Sequence, residues 1–300
     1  MSGKETDRDI DRLLERLDQL LPPAPPATDW KASVAYRWRS GGSRGAYGRS
    51  AGWLQPVRHV HRIKLSDLRG IDKQIQRVEQ NTRQFLEGEP ANNVLLTGAR
   101  GTGKSSIVKA LLNKYSGRGL RLIEVEKSDL VDLPHIVDQV AGRPERFMLF
   151  CDDLTFHGSE EGYIALKVAL DGSISTTSEN LLIYATSNRR HLMPEYMAEN
   201  LETKYVGDEI HPGETVEEKI SLSERFGLWV SFYPFDQDEY LDIVGQWLRS
   251  FDCSLKEETK DEALQWALQR GSRSGRVAYQ FARDYAGRHA SASARPAKKK

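Results

Sequence analysis

Residues 98–105 combine glycines, a lysine and a hydroxyl side chain in a pattern that binds phosphate. Gly98, Gly103, Lys104 and Ser105 satisfy G-x-x-x-x-G-K-[ST]. Glycines let successive backbone N–H groups turn toward an anion, and the helix that follows presents its positive N-terminal end to the same phosphates. The pattern predicts that Lys104 reaches the β- and γ-phosphates of a nucleotide and that Ser105 holds Mg²⁺.

The neighbouring residues place this loop between a strand and a helix. Val94, Leu95 and Leu96 form a short apolar run, and apolar residues recur with helical spacing from Ile107 to Leu112. Strand, loop and helix are the setting that a phosphate-binding loop requires. We therefore expect ATP or ADP to contact the whole loop, which consists of Gly98, Ala99, Arg100, Gly101, Thr102, Gly103, Lys104, Ser105 and Ser106.

Two carboxylates and an amide follow two other apolar runs. Asp152 and Asp153 come directly after the run 146–151, and Asn188 ends the strand pattern that begins at Leu181. An NTPase needs a carboxylate for the metal, a residue that orients the attacking water and cations at the γ-phosphate. We expect Asp152 to bind Mg²⁺ and Asp153 to polarise the water. Asn188 is a candidate for a hydrogen bond to that water or to the γ-phosphate.

These candidate residues require a sheet whose strands end at one edge. Short apolar runs at 94–96, 120–125, 146–151 and 181–185 alternate with helical patterns, which predicts an α/β fold with a parallel sheet and right-handed crossovers. Ligands of such sheets bind outside the carboxyl ends of the strands. All three candidate segments lie at such ends.

The second half of the chain changes in character. Residues 194–220 are polar and contain proline and glycine, which predicts an irregular or partly helical insertion. Apolar stripes across 236–288 predict helices throughout, as a separate small domain. The last residues, 290–300, are small and basic, and we expect them to be disordered.

The N-terminal residues carry a different pattern. Leucines and Ile10 recur with helical spacing across 5–21, which predicts an amphipathic helix that either docks on its own domain or contacts a partner. Prolines then stop the helix, and 22–26 should form a semi-rigid spacer.

Residues 31–64 carry lysines and arginines without one acidic residue. Tyr36, Trp38, Tyr47 and Trp53 are interleaved with these cations. Cations among aromatic rings suit a phosphate backbone or single-stranded nucleic acid. The alternative is a segment whose aromatic and aliphatic side chains pack onto the nucleotide-binding core.

Composition excludes several function classes. Lys+Arg and Asp+Glu both number 43, so the overall charge favours no particular partner. Cys151 and Cys253 are far apart and form no C-x-x-C pair, which favours a reducing compartment and no cysteine metal site. No apolar run approaches the length of a membrane span, and the N-terminus is charged. We expect a cytoplasmic protein without a membrane partner.

The order of these motifs resembles that of AAA+ ATPases, a class that contains replication initiators and helicase loaders. The resemblance covers residues 65 to about 288. It implies that Asn188 senses the γ-phosphate and that Arg225, in Ser-Glu-Arg-Phe-Gly, is an arginine finger for a neighbouring subunit's nucleotide. It also implies that Arg276 reaches the γ-phosphate of its own subunit. The residues that match the adenine-contacting segment are Leu68, Gly70 and Ile71.

Longer strings resemble a bacterial AAA+ family that carries only a domain-of-unknown-function label, of the 815 type. The strings lie at 186–192, 221–229 and 273–278. The segment 36–57 resembles the N-terminal extension of that family, which favours a structured role for part of the basic segment. Two positions depart from the expected pattern: Asp153 stands where AAA+ proteins usually have Glu and His157 also stands where Glu is expected.

The predicted fold is therefore an α/β P-loop NTPase of the AAA+ type, with a parallel sheet flanked by helices and a small C-terminal helical domain. The predicted segments are an amphipathic helix at 1–21, a proline-rich linker and basic aromatic segment at 22–64, the nucleotide-binding domain at 65–235, a helical lid at 236–289 and a basic tail at 290–300.

The predicted activity is Mg²⁺-dependent ATP hydrolysis at subunit interfaces of a ring or helical homo-oligomer, of which a hexamer is one arrangement. It would remodel or load a protein or a protein–DNA assembly whose identity the sequence does not give. Two alternatives remain. One is a nucleotide-gated oligomeric switch that hydrolyses slowly or not at all, and the other is a nucleic-acid-binding ATPase that uses residues 31–64.

Overall fold

The computed structural model describes residues 26–41, 52–156, 161–171, 179–188, 204–206, 209–211 and 222–293. The predicted N-terminal helix and His157 lie outside the described residues, as do most of the proline spacer, residues 189–192 and the end of the tail. No helix within the described ranges combines the length and apolar character that crossing a membrane requires.

Seven of the described strands form one sheet, and two form a separate hairpin. The strands of the sheet are β1 Ala35–Arg39, β2 Trp53–Pro56, β3 Val94–Gly98, β4 Leu120–Glu124, β5 Arg146–Cys151, β6 Leu181–Ser187 and β9 Leu228–Phe232, and the hairpin consists of β7 Lys204–Val206 and β8 Glu209–His211. The order in the sheet is β2-β1-β4-β5-β6-β3-β9. Every neighbouring pair is parallel except β1 and β2, which are antiparallel.

Helices cover both faces of the sheet. They are α1 Asp72–Glu87, α2 Lys104–Tyr115, α3 Leu133–Val140, α4 Glu161–Asp171, α5 Gln237–Ser250, α6 Glu257–Gln269 and α7 Gly275–Ser293. The described residues confirm the predicted α/β class with a mostly parallel sheet and C-terminal helices. Helix α4 was not predicted, and the hairpin β7–β8 lies where the sequence predicted an irregular or partly helical insertion.

Alternation along the central strands divides the core into two clusters. In β5, Phe147, Leu149 and Cys151 face one cluster, whereas Met148 and Phe150 face the other. Successive side chains of a strand point to opposite faces, so a continuous apolar run marks a strand covered on both sides. The cluster that contains Met148 and Phe150 also contains apolar residues of α5 and α7, so the C-terminal helices share a core with the sheet.

Part of the basic segment belongs to the sheet. Tyr36 and Trp38 of β1 are buried, while Arg37 and Arg39 alternate with them and face outward. The Trp38 indole Nε1 donates a 3.0 Å hydrogen bond to Asp132 Oδ2. The sheet therefore includes strands that precede residue 65, whereas the sequence predicted that the nucleotide-binding domain begins at residue 65.

The arginines of β1 have acidic neighbours. Arg37 Nη2 lies 2.7 Å from Glu124 Oε2, and Arg39 Nη1 lies 3.8 Å from Glu126 Oε1. Parallel pairing of β1 with β4 places these charges side by side, since Arg37 is in register with Glu124. The two arginines therefore form ion pairs within the protein, and the buried rings of β1 belong to its hydrophobic core.

Strand order brings the candidate segments together. Strand β3 lies next to β6, and β6 lies next to β5. The register pairs Thr97 with Ser187 and Cys151 with Ala185, so three carboxyl ends fall at one level of the sheet. The phosphate-binding loop after β3, the carboxylates after β5 and Asn188 after β6 consequently meet at this edge.

Candidate functional site

The loop between β3 and α2 depends on glycines at defined positions. Gly98, Gly101 and Gly103 have φ values of 124°, 74° and 100°, in the region that side chains disfavour. At Gly98 a Cβ atom would lie 1.9 Å from the carbonyl oxygen of Phe232 on the adjacent strand. The loop can therefore curl against β9 and lead directly into α2 at Lys104 only because these positions lack a side chain.

Lys104 is the first residue of α2 and is 6% exposed. Its Nζ donates hydrogen bonds to the carbonyl oxygens of Gly98 (2.8 Å) and Ala99 (2.7 Å) and to Asn188 Oδ1 (3.1 Å). The loop carbonyls and Asn188 thus hold the ammonium group in the curve of the loop. A cation in this position suits an anionic ligand that enters the same curve.

The charges around Lys104 also favour such a ligand. Burial lowers the pKa of Lys104 below its usual value, the carboxylates of Asp152 and Asp153 oppose that effect, and Arg100 and Arg276 add to the lowering. Cations close to one another repel, and a polyanion placed among them relieves this repulsion. A nucleotide's phosphates carry the charge that this arrangement requires.

Asp152 and Ser105 form the candidate metal site. The Ser105 hydroxyl donates a 2.6 Å hydrogen bond to Asp152 Oδ1. Mg²⁺ prefers oxygen ligands and is usually bound by one or two protein oxygens together with substrate phosphates. A carboxylate and a hydroxyl in contact beside the phosphate-binding loop therefore fit Mg²⁺ accompanying a nucleotide.

Asp153 and Asn188 form the candidate water-activating pair. Asp153 has a φ of 54°, the left-handed conformation that aspartate tolerates better than most residues. Asn188 Nδ2 donates a hydrogen bond to Asp153 Oδ1, while its Oδ1 accepts from Lys104. One amide thus connects the predicted base to the lysine of the phosphate-binding loop.

A cavity of about 730 Å³ extends from these polar groups toward the C-terminal helices. This size is typical of sites for a nucleotide-sized ligand. Its walls include Leu68, Ile71 and Ser106, as the sequence predicted for nucleotide contacts. Gly70 does not line the cavity and instead packs under Phe235, whose ring would lie 3.0 Å from a Cβ atom at this position.

The sequence reasoning missed the aromatic end of this cavity. Trp247 of α5 and Tyr279 of α7 line it, with ring centroids 4.9 Å apart in an edge-to-face arrangement. His61 and Lys109 also line it. The helical pattern of 236–288 gave Trp247 and Tyr279 no distinguishing signal, because their position depends on how α5 and α7 pack on the sheet.

Thr186 was also missed, although it precedes Asn188 by two residues. Its hydroxyl contacts both members of the Asp152–Asp153 pair. A hydroxyl at the end of a strand next to paired carboxylates is the signal that could have identified it.

The two predicted arginines occupy different places. Arg276, the second residue of α7, lines the nucleotide cavity together with Lys104. Arg225 does not line that cavity and forms an ion pair with Asp171 at the end of α4. The structure therefore brings Arg276 to the candidate site and places Arg225 outside it.

The sequence matches a known family along most of its length. Residues 31–289 match the family described as "Protein of unknown function (DUF815)". A curated relative, the 26S proteasome regulatory subunit 4 homolog of Saccharomyces cerevisiae, is 30% identical over 109 residues, which are 32% of this chain and 25% of that protein.

Two solved structures have a similar fold. The FIGL-1 AAA domain in complex with ADP aligns with a TM-score of 0.50 and 16% identity, covering 76% of this chain and 74% of that chain. The Aeropyrum pernix ORC1 protein in complex with DNA aligns with a TM-score of 0.50 and 16% identity, covering 71% of this chain and 58% of that chain. The chain thus spans only part of the yeast and Aeropyrum proteins, and these likenesses confirm the predicted AAA+ P-loop fold.

Proposed function

The chain belongs to the family described as protein of unknown function (DUF815), and from that premise we propose that it is a Mg²⁺-dependent ATPase of the AAA+ class. One observation carries the proposal. Lys104, the contacting pair Ser105 and Asp152, and the contacting pair Asp153 and Asn188 converge at the carboxyl ends of three adjacent strands.

Each group has a role in phosphoryl transfer. The loop N–H groups and Lys104 bind the β- and γ-phosphates, and Ser105 and Asp152 hold Mg²⁺, which when bound neutralises phosphate charge. Asp153 accepts a hydrogen bond from the attacking water and polarises it, and the Asn188 amide fixes the direction of the Asp153 carboxylate. Positioning and charge stabilisation supply most of the catalysis in this reaction class.

The position of Arg225 is consistent with a site that a second copy of the chain completes. It does not line the cavity of its own chain, whereas Arg276 does. We propose that Arg225 acts on the nucleotide of a neighbouring subunit and that Arg276 acts on its own. Hydrolysis would then occur at subunit interfaces of a homo-oligomer.

The decisive experiment combines ATP binding with multiple-turnover phosphate release. Lys104→Ala should abolish both, and Asp153→Asn should retain binding while phosphate release falls at least about 100-fold. Lys260→Ala, on an exposed part of α6, is the control and should match the wild type. ATP binding that survives in Lys104→Ala, or turnover that survives in Asp153→Asn, contradicts the proposal.

A second candidate function is a nucleotide-gated switch. The carbonyl of Gly101 in the phosphate-binding loop accepts a 2.9 Å hydrogen bond from the N–H of Gly275, the first residue of α7. Nucleotide binding at the loop can therefore alter the C-terminal helices without hydrolysis. Assembly with a non-hydrolysable analogue, accompanied by less than one turnover in many minutes, would favour the switch.

The assembly on which ATP hydrolysis acts is the subject of a further proposal. We propose remodelling or loading of a protein or protein–DNA assembly, with residues 1–21 as the recruiting segment. Partners retained by Asp153→Asn with ATP, but not by Lys104→Ala, would identify the assembly. Direct nucleic-acid binding through residues 31–64, of which Arg58, Arg62 and Lys64 are exposed, would instead appear as binding that weakens steeply with added salt.

A further inference from the structure

The Thr186 hydroxyl contacts both of the consecutive acidic residues of the candidate site, Asp152 and Asp153. Its Oγ1 donates a 2.6 Å hydrogen bond to Asp152 Oδ1 and accepts a 2.9 Å hydrogen bond from the backbone N–H of Asp153. Thr186 is 2% exposed. A hydroxyl has one proton to donate, and here that proton goes to the carboxylate proposed to bind Mg²⁺.

The backbone of Thr186 holds the next residue of the same turn. Its carbonyl accepts a 2.7 Å hydrogen bond from the N–H of Leu154. Strand pairing fixes this arrangement, because Ala185 is in register with Cys151 and the following residues therefore face each other. Thr186 thus contacts three consecutive residues from Asp152 to Leu154, and Asp153, between them, has the left-handed φ of 54°.

Asp152 Oδ1 has one other described partner, the hydroxyl of Ser105 at 2.6 Å. Ser105 and Asp152 are the two residues proposed to hold the ion. Thr186 is therefore the partner of Asp152 that is not itself a proposed metal ligand. Groups of this kind orient a ligand, and their loss typically weakens metal binding about 10- to 100-fold.

We propose that Thr186 is the positioning residue of this site, in that its hydroxyl orients the Asp152 carboxylate for Mg²⁺ and holds the Asp153 backbone in its left-handed conformation. The inference rests on the proposed Mg²⁺–ATP function. It adds a residue that acts through Asp152 and Asp153, and it attributes the metal affinity of the site partly to β6.

A purely structural role for this hydroxyl predicts a different result. Buried hydroxyl groups are usually hydrogen-bonded, and removing one costs stability wherever it lies. Thr82 of α1 provides the matched control, because it is 0% exposed and its Oγ1 bonds to the Val78 carbonyl (2.8 Å) and to the Tyr184 hydroxyl (2.9 Å), and to neither carboxylate. Thr82→Val should lose stability without changing the metal dependence.

The test measures binding of a fluorescent ATP analogue as a function of Mg²⁺ concentration. In Thr186→Val, which keeps the shape of the side chain, the Mg²⁺ concentration for half-maximal binding should rise about 10- to 100-fold. Analogue affinity in EDTA should stay within about twofold of the wild type, and Thr186→Ser should restore the Mg²⁺ dependence. Thermal unfolding of each variant establishes that it is folded, and Thr186→Ala replaces the valine variant if that variant does not fold.

The outcomes separate this inference from the function on which it rests. A wild type that fails to bind the analogue, or binds it equally with and without Mg²⁺, overturns the proposed function. A wild type that binds with Mg²⁺ while Thr186→Val has the same Mg²⁺ dependence overturns the role of Thr186 alone. An equal loss of Mg²⁺ affinity in Thr82→Val would also overturn it, by showing that general destabilisation is sufficient.

Discussion

Arg225 Nε donates a hydrogen bond to Asp171 Oδ1, so the side chain proposed to complete a neighbour's site is held within its own chain. Asp171 is the last residue of α4, and the same helix exposes Ile164 and Val168 by 54% and 48%. If Arg225 turns away from Asp171 to reach a neighbouring nucleotide, assembly breaks this hydrogen bond. The ion pair and assembly therefore compete.

Replacement of Asp171 should shift this competition. Exposed ion pairs contribute about 0.2–1 kcal/mol, and Asp171 is 45% exposed, so Asp171→Asn should lower the protein concentration for half-maximal ATPase activity by a factor of about 1.4 to 5. Arg225→Ala should retain ATP affinity and lose turnover about 10³-fold. ATPase rate against protein concentration measures both effects, and full activity in Arg225→Ala would exclude the interface mechanism.

The hydrogen bond from Gly275 to Gly101 leads to a second prediction. Proline at the first helical position is normally tolerated, but Gly275→Pro removes this N–H donor and places the ring against the Gly101 carbonyl. Loss of one hydrogen bond of about 1 kcal/mol should weaken ATP binding roughly fivefold. Glu257→Pro makes the same change at the first residue of α6 and should leave the affinity unchanged. Equal affinities for both variants in a binding titration would show that α7 and the loop are uncoupled.

The approach of Gly98 to β9 predicts a large loss of stability on substitution. In Gly98→Ala the new Cβ would lie 1.9 Å from the Phe232 carbonyl oxygen, and the φ of 124° is unfavourable for alanine. We expect a loss of about 3 kcal/mol or more, corresponding to a fall in Tm of roughly 10 °C. Gly119→Ala is the control, since Gly119 also has a positive φ of 92° but its Cβ would meet no atom within 4 Å. Thermal unfolding should show a fall in Tm of a few degrees for Gly119→Ala. Similar falls in both variants would mean that the positive φ, and not the contact with Phe232, accounts for the loss of stability.

The parts of the site that the sequence predicted follow from local pattern and sheet geometry. Asp152 and Asn188 stand directly after β5 and β6, Lys104 ends the loop that follows β3, and carboxyl ends of parallel strands meet at one edge. The order of strands then places the three segments next to one another. Motif spacing and strand polarity can be read from neighbouring residues, whereas the strand order that places the three segments side by side is a property of the folded sheet.

The remaining features depend on contacts between distant residues. Strand β1 was not predicted, because it lies in a basic segment whose arginines were expected to face solvent or nucleic acid. Arg37 and Arg39 instead pair with Glu124 and Glu126, which lie far along the chain. Likewise the pairing of Arg225 with Asp171 depends on tertiary packing. A single sequence does not contain the information that identifies such pairs, although the alternation in Ala35–Arg39 is visible once a strand is assumed.

Glu79 connects α1 to the helix that follows the phosphate-binding loop. Its Oε1 accepts hydrogen bonds from Lys114 Nζ and from the Tyr115 hydroxyl, the latter at 2.6 Å. Burial raises the pKa of Glu79, but the hydrogen bonds from Lys114 and Tyr115 outweigh that effect, and the pKa lies below 4.5. Burial and the hydrogen bond to Glu79 raise the pKa of Tyr115 to about 12.

These shifts predict how stability depends on pH. The lowered pKa of Glu79 stabilises the fold above pH 4.5, and this contribution is lost as the pH falls from 4.5 through the folded value, because the unfolded chain then binds more protons. The raised pKa of Tyr115 stabilises the fold below pH 10, and this contribution is lost between pH 10 and about 12. Glu79→Gln should therefore flatten the acid limb of the stability curve. It should also reduce the loss of stability above pH 10, because the hydrogen bond to Glu79 supplies part of the raised pKa of Tyr115.

At pH 7, Glu79→Gln should lower the free energy of unfolding by about 1 kcal/mol, since the Lys114 side chain is 50% exposed and water screens part of the interaction. Urea unfolding from pH 3 to pH 11 measures both limbs. Glu87→Gln removes the looser, exposed contact with Arg118 from the same helix and should change neither limb by more than about 0.5 kcal/mol. An acid limb in Glu79→Gln as steep as that of the wild type would show that other carboxylates account for the acid sensitivity of the fold.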